Sequence, residues 1–396
     1  MKTKPMLIYL LAIILLSQAQ VQMSFPSVTI KQQPEDLFNT YALIISGIDP
    51  DPTKHYPGSA PLYRRADMMY DALDYLRTLY PETHIADITY LTMNGSKNGL
   101  ATPITVLNWI RGYANSLSMW DTLLIFYSGH GGGAYADGRI ESGRVDTNDD
   151  EGLEHYKDGG WFGVDECLTL TPNEYDNTTW QEIWDDDIQE ALGYAICRTV
   201  VVLNGCKEID SNSTTSCFAG GFIDDLSGER RVIITPANET STAYYYSNEK
   251  YKGFVYYLIN TIKLEGDLKT SFDYAVANDE FNHFWNGQEF VCLETPWLDD
   301  DGDRLPNFVN GSDHLDDDQG WFSSKVIIGK NSGMLIGDIN NDRVVDIADA
   351  AIIRHYWEQA VTDPSEMLKR KADINGDWIV DITDVSILVM NWQKEI

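Results

Sequence analysis

Four nearly unbroken apolar runs constrain this chain more than any other feature: "YALIISGI" (41–48), "DTLLIFYSG" (121–129), "TVVVLNG" (199–205) and "RRVIITPA" (230–237). Such runs, unlike alternating ones, belong to strands buried on both faces. "ADITYLT" (86–92) supplies one more strand. The segments between them carry helical spacing. Residues 63–80 place Met69, Leu73, Leu76 and Tyr80 on one face, and 102–117 opens with a Thr cap followed by proline at the first helical position. "DDIQEALGYAI" (186–196) and "GFVYYLINTIK" (253–263) read as two further helices. Parallel strands joined by crossover helices predict an α/β/α sandwich over roughly residues 40–330. In such a sheet, ligands and chemistry belong at the carboxyl ends of the strands.

With 396 residues the chain is too long for a single ordinary core. Its first 19 residues have lysines at 2 and 4, an apolar run from Met6 to Leu16 and a small-x-small site at Ser17 and Ala19. That is the layout of a secretory signal peptide, so the mature protein is expected outside the cytoplasm with no membrane span. Five cysteines (167, 197, 206, 217 and 292) are too few for a disulfide scaffold. Their odd number allows two bridges and one reactive thiol. The net charge of -32 argues against nucleic acid as a partner, because phosphates would be repelled. The acidic residues gather in loops, as "VDTNDDEGLE" (145–154), "WDDD" (184–187), "LDDDGDR" (298–304) and "HLDDD" (314–318), which favours bound cations over a uniform solvating coat.

Two predicted strands end in reactive side chains. "LLIFYSGHGGGAY" (123–135) runs into His130, flanked by four glycines, and "TVVVLNGC" runs into Cys206. A cysteine and a histidine at neighbouring strand ends would form a nucleophile and its acid–base partner. The glycines would bring backbone N–H groups to an oxyanion. Taken alone, a histidine after a strand is more often a turn residue, and a free cysteine more often a small core side chain.

"LLIFYSGHGG", followed by "VVVLNGC…CFAGGFIDDLSG" and "RRVIITPANETSTAY", resembles the caspase-like cysteine peptidases, and within them the legumain-type branch. The resemblance implies a peptidase with a His130–Cys dyad and an oxyanion hole from the N–H of Gly131 and of the nucleophile. Relatives run from the strand through one or two residues into the cysteine, small residues and "GF"; here "KEIDSNSTTS" splits that unit. The strand end favours Cys206, whereas the small-residue turn Ala219–Gly220–Gly221 favours Cys217. We weight the turn more heavily, because an insertion before the nucleophile can loop out while one after it would dismantle the oxyanion geometry. Cys206 stays open as the alternative, as does a Cys206–Cys217 disulfide. A peptide ligase or an inactive binding module on the same fold is also compatible with these residues. The acidic surface leans towards a cationic substrate.

Residues 338–357 and 373–392 repeat at an offset of 35, with ten of twenty positions identical. Each repeat places oxygen ligands at loop positions 1, 3, 5, 9 and 12: Asp338, Asn340, Asp342, Asp346 and Asp349, then Asp373, Asn375, Asp377, Asp381 and Asp384. The carbonyls of Val344 and Ile379 would supply position 7, giving EF-hand-like spacing for Ca²⁺. The tail, about 335–396, resembles a type I dockerin. That resemblance implies an all-α calcium module that docks to a cohesin on a scaffold or cell-surface protein. Arg343 and Trp378 replace the usual glycine after the third ligand. Asp299, Asp301 and Asp303 around Gly302 form a further candidate cation loop, with a solvated acidic loop as the equal reading; Asp146, Asn148 and Asp150 form a looser one. "IGKNSGML" (328–335) reads as the linker.

Overall fold

The computed structural model describes residues 39–392, with its longer interruptions at 48–59, 136–163, 173–179, 209–218, 246–251, 314–322, 330–338 and 361–366. The signal-peptide reading therefore lies outside the described residues. The chain divides into two compact units, one of them Phe38–Met334 and the other including Leu335–Ile396.

The first unit begins β1 (Thr40–Ser46), α1 (Ala60–Leu79), β2 (Ile85–Thr92), β3 (Gly99–Leu100), α2 (Pro103–Ser116) and β4 (Thr122–Gly129). It continues β5 (Gly131–Tyr135), β6 (Val164–Pro172), β7 (Trp180–Trp184), α3 (Asp185–Leu192) and β8 (Arg198–Glu208). Then come α4 (Phe222–Leu226), β9 (Arg231–Thr235), β10 (Ala243–Tyr245), α5 (Phe254–Lys263) and α6 (Leu268–Asn278). The main sheet has the order β9–β8–β4–β1–β2–β3, all parallel, and Trp297–Asp299 closes its edge antiparallel to β9. β10 extends the far end of β8.

The strands' apolar residues sort by pleat. Ala42, Ile44, Leu124, Phe126, Val200 and Val202 face Met69, Leu73 and Leu76 of α1 and the apolar sides of α5 and α6. Leu43, Ile45, Leu123, Ile125, Val201 and Leu203 face Val106 and Ile110 of α2, Ile188 and Leu192 of α3, and Phe222 of α4. This double coverage is why the strands carry no alternation, and each fully buried Leu, Ile or Val stabilises the fold by about 1.5–3 kcal/mol. α2 starts as its sequence dictates, with the Thr102 hydroxyl accepting from Thr105 N and Pro103 in the first turn. α3 is shorter than its sequence pattern, ending at Leu192.

Two features depart from the sequence reading. The segment after the histidine forms a three-stranded antiparallel sheet, β5–β6–β7, which glycine-rich "GGGAY" does not announce. The presumed linker also begins inside the first unit. Ile328 is buried in the core, and Gly329 N donates to Thr40 Oγ1 at 3.0 Å while its carbonyl accepts from His84 N at 2.7 Å.

The tail unit contains α7 (Ile347–Tyr356), α8 (Met367–Ala372) and α9 (Ile382–Met390). A short antiparallel pair, Gln359–Ala360 with Ile379–Val380, joins the two repeats. Ile353, Val385 and Leu388 are buried, so the apolar sides of α7 and α9 form the core of this unit.

Candidate active site

The chain visits β2 and β3 on one side of β1 and then crosses to β4 and β8 on the other. The order of the sheet thus reverses between β1 and β4, and the crevice outside their carboxyl ends is the expected ligand position. Ser46, Ser128 and Asn204 stand in register at this end, all buried. Asn204 Nδ2 donates to Ser128 Oγ at 2.9 Å, tying β4 to β8.

His130 follows directly on β4. It is 6 % exposed, so the glycine-flanked bend holds it buried. Burial pushes its imidazole down to about 4, so the side chain is neutral at physiological pH. Its carbonyl is pinned twice, by the Tyr127 hydroxyl and by Thr169 N at 2.9 Å. The Thr169–His130 bond makes Gly131 and Leu168 a non-hydrogen-bonded pair of the β5–β6 ladder, so the N–H of Gly131 is directed away from β6.

Gly129 of β4 pairs with Gly205 of β8, so the register brings His130 and Cys206 level with one another. β8 does not end there, however. It runs on to Glu208, and Cys206 pairs with Ala243 of β10. Cys206 is therefore inside a strand and not at its tip, contrary to the sequence reading. Cys217 lies outside the described residues. The turn that follows it is described: Ala219–Gly221 is a buried single 3-10 turn that packs near β6 and β8 and leads into α4. Cys167 and Cys197 are both buried.

Asp299 is fully buried, and its carboxylate accepts from the Ser227 hydroxyl and from Gly302 N at 3.3 Å. It holds a strand end in place. Asp301, Asp303 and the looser loop at 146–152 lie outside the described residues. In the tail, Asp338, Asp342, Asn375 and Asp377 also lie outside them, while Asn340, Val344 and Ile379 lie within them. Asp346 and Asp381 cap α7 and α9, each in a reciprocal box with Asp349 or Asp384. Asp349 is fully buried and also accepts from Ile339 N at 2.6 Å and Asn340 N at 3.1 Å. Asp373 and Asp384 are likewise buried. Among the described residues no three His, Cys, Asp or Glu side chains converge as a metal cluster, and no helix is long and apolar enough to cross a membrane.

The first unit is a mostly parallel α/β sheet with a histidine buried at its switch point, and the second is a pair of acidic loop–helix repeats. Residues 336–391 match the family model of the dockerin type I domain; the tail is such a domain. Solved structures similar to the chain include two caspases. Caspase-1 from Spodoptera frugiperda is 9% identical, with 67% of this chain and 86% of that chain covered and a TM-score of 0.34. The Drosophila initiator caspase Dronc is 9% identical, with 68% and 82% covered and a TM-score of 0.33. A Geobacter sulfurreducens protein is 17% identical, with 67% and 94% covered and a TM-score of 0.36. No curated protein matches the sequence.

Proposed function

We propose that residues 38–334 form a legumain-like cysteine endopeptidase in which His130 is the acid–base residue and Cys217 the nucleophile. The observation that carries this reading is the buried His130 held at the switch point, beside the strand that leads into the cysteine segment. A neutral imidazole can accept the thiol proton, and the thiolate so formed stabilises the imidazolium by direct attraction. The sulfur attacks the peptide carbonyl, with Gly131 N–H and the nucleophile's own N–H holding the oxyanion. The imidazolium then gives its proton to the leaving amine, and water, deprotonated by the same ring, releases the acyl group. Cys206 fits the nucleophile's part less well, because it sits within a paired strand. Cys217 precedes the buried small-residue turn Ala219–Gly221, whose lack of side-chain bulk would let the backbone approach a substrate carbonyl.

We further infer that the tail binds Ca²⁺ and docks to a cohesin, and that the chain is exported. The dockerin match and an all-oxygen donor set support a hard cation. When bound, Ca²⁺ would neutralise the loop aspartates, with Asp338, Asn340, Asp342 and Asp346 in the first loop and Asp373, Asn375, Asp377 and Asp381 in the second.

The test is alkylation by iodoacetamide together with cleavage of a peptide library by Cys217→Ala and Cys206→Ala. Loss of cleavage in Cys217→Ala alone is expected. Cleavage surviving Cys217→Ala would move the nucleophile to Cys206, and no cleavage by the parent protein would remove the peptidase reading.

A further inference from the structure

The face of the small sheet that carries His130 continues across two more strands. Thr169 N donates to the His130 carbonyl, and Thr169 pairs with Glu182 in the β6–β7 register. His130, Thr169 and Glu182 therefore form one transverse row, and directly opposed residues of antiparallel strands point to the same side. The other side packs into the main core, where Leu168 and Ile183 are buried. At about 5 Å per strand, Glu182 stands ~10 Å from His130. The neighbouring row on the same side is Cys167 and Trp184, both buried.

Glu182 has no hydrogen bond or ion pair among the described residues. Among the described residues, the elements around it offer no cation. β5 has no basic residue, and β6 carries Asp165 and Glu166. α3 opens with Asp185, Asp186 and Asp187. The one basic residue of α2, Arg111, is engaged by Glu190 at 3.5 Å. Among the described side chains, the titratable groups on its own face are His130 and the Cys167 thiol. Desolvation raises the Glu182 carboxyl to about 6. Above that pH it is a half-buried anion for which the described residues supply no counter-charge, and partly buried charges are normally paired.

We propose that Glu182 is a specificity-determining residue that receives a lysine or arginine side chain on the leaving-group side of the scissile bond. This rests on the peptidase reading above. The side follows from the chemistry: His130 protonates the leaving amine, so the departing segment passes over His130 and along the row. An extended peptide advances about 3.3 Å per residue, so Glu182 lies opposite roughly the third residue past the cut.

The experiment uses the full chain and internally quenched peptides identical up to the cut, with lysine or norleucine at each of the first four positions after it. Lysine near the third position should raise kcat/KM about tenfold over norleucine. Glu182→Gln should bring that ratio to about one while leaving the norleucine peptide unaffected, and the parent protein should lose the preference as pH falls below about 6. No lysine preference in the parent, or an equal preference in Glu182→Gln, overturns the proposal. If cysteine alkylation and cleavage persist in that case, the peptidase reading stands without it; if no peptide is cleaved at all, both fall.

Discussion

The hydroxyl of Tyr127 donates to the main-chain carbonyl of His130 and also lies 2.8 Å from the carbonyl of Thr169. One side chain of β4 thus fixes both the bend that presents the histidine and the first strand packed over it. The ring reaches these carbonyls only because two neighbours lack side chains. A Cβ on Gly47 would fall 2.3 Å from the Tyr127 hydroxyl, and one on Gly129 would fall 2.4 Å from it.

Tyr127→Phe keeps the ring and removes only this tether. We expect kcat to fall roughly tenfold with KM little changed, because the imidazole is misplaced and the cleft is intact. Thermal unfolding should shift by about 1 kcal/mol, the worth of one buried hydrogen bond. Unchanged kcat alongside that loss of stability would show the tether to be structural only. Gly129→Ala should be far more damaging, since the added methyl meets a buried ring with no room to move.

His130 gives a pH signature with a definite sign. Its pKa is depressed from 6.5 to about 4 by burial. A depressed group contributes stability above its unfolded pKa and loses it as pH falls through the folded one. The window is therefore between about 6.5 and 4, with a total effect on the order of 3 kcal/mol. His130→Gln should abolish turnover by at least ~10²-fold and flatten the acid limb of the stability curve. Denaturant titrations at pH 4 and pH 7 would check this. An equal acid loss in both proteins would assign that limb to other groups.

The sheet was legible because burial on both faces leaves a direct trace in composition: residues 123–126 and 200–203 are apolar without interruption. Helix starts were legible where a cap and a proline coincide, as at Thr102 and Pro103. The β5–β6–β7 sheet was not, since glycine carries no strand signal and the pairing is made by β6, some thirty residues on. His130 was found by its glycine setting, but its burial was missed because that depends on strands remote in sequence. Tyr127 read as one more apolar position in a strand, and Glu182, just ahead of the acidic run 184–187, carried no signal of its own. Only the register separates Glu182 from the aspartates that follow it.

Asn204 and Ser128 offer a second test of the crevice. Their 2.9 Å bond is buried, and it joins the strand of the histidine to the strand that leads into the cysteine segment. Asn204→Leu would leave the Ser128 hydroxyl without this donor and should destabilise the fold by about 1–3 kcal/mol. The paired change Asn204→Leu with Ser128→Ala should recover part of that loss, because both polar groups go together. Strictly additive losses in denaturant titrations would argue that the two side chains act independently.

In the tail, Asp349 separates scaffold from ligand. The spacing made it the twelfth-position calcium ligand, yet the structure gives its carboxylate three backbone donors: Ile339 N, Asn340 N and Asp346 N at 2.8 Å. The loop start and the helix start are thus held together through one fully buried side chain. Asp349→Ala strands three N–H groups, and the expected loss is about 2–4 kcal/mol whether or not Ca²⁺ is present. Asp338→Ala removes a loop carboxylate that the spacing reads as a ligand, so its effect should shrink as Ca²⁺ is raised to saturation. Because Leu335–Ile396 falls within its own compact unit, the two variants can be compared in that fragment by helical circular dichroism across a Ca²⁺ titration. Rescue of Asp349→Ala to full helicity by excess Ca²⁺ would make it an ordinary ligand. A persistent deficit beside a rescued Asp338→Ala would establish that this aspartate builds the loop the metal occupies.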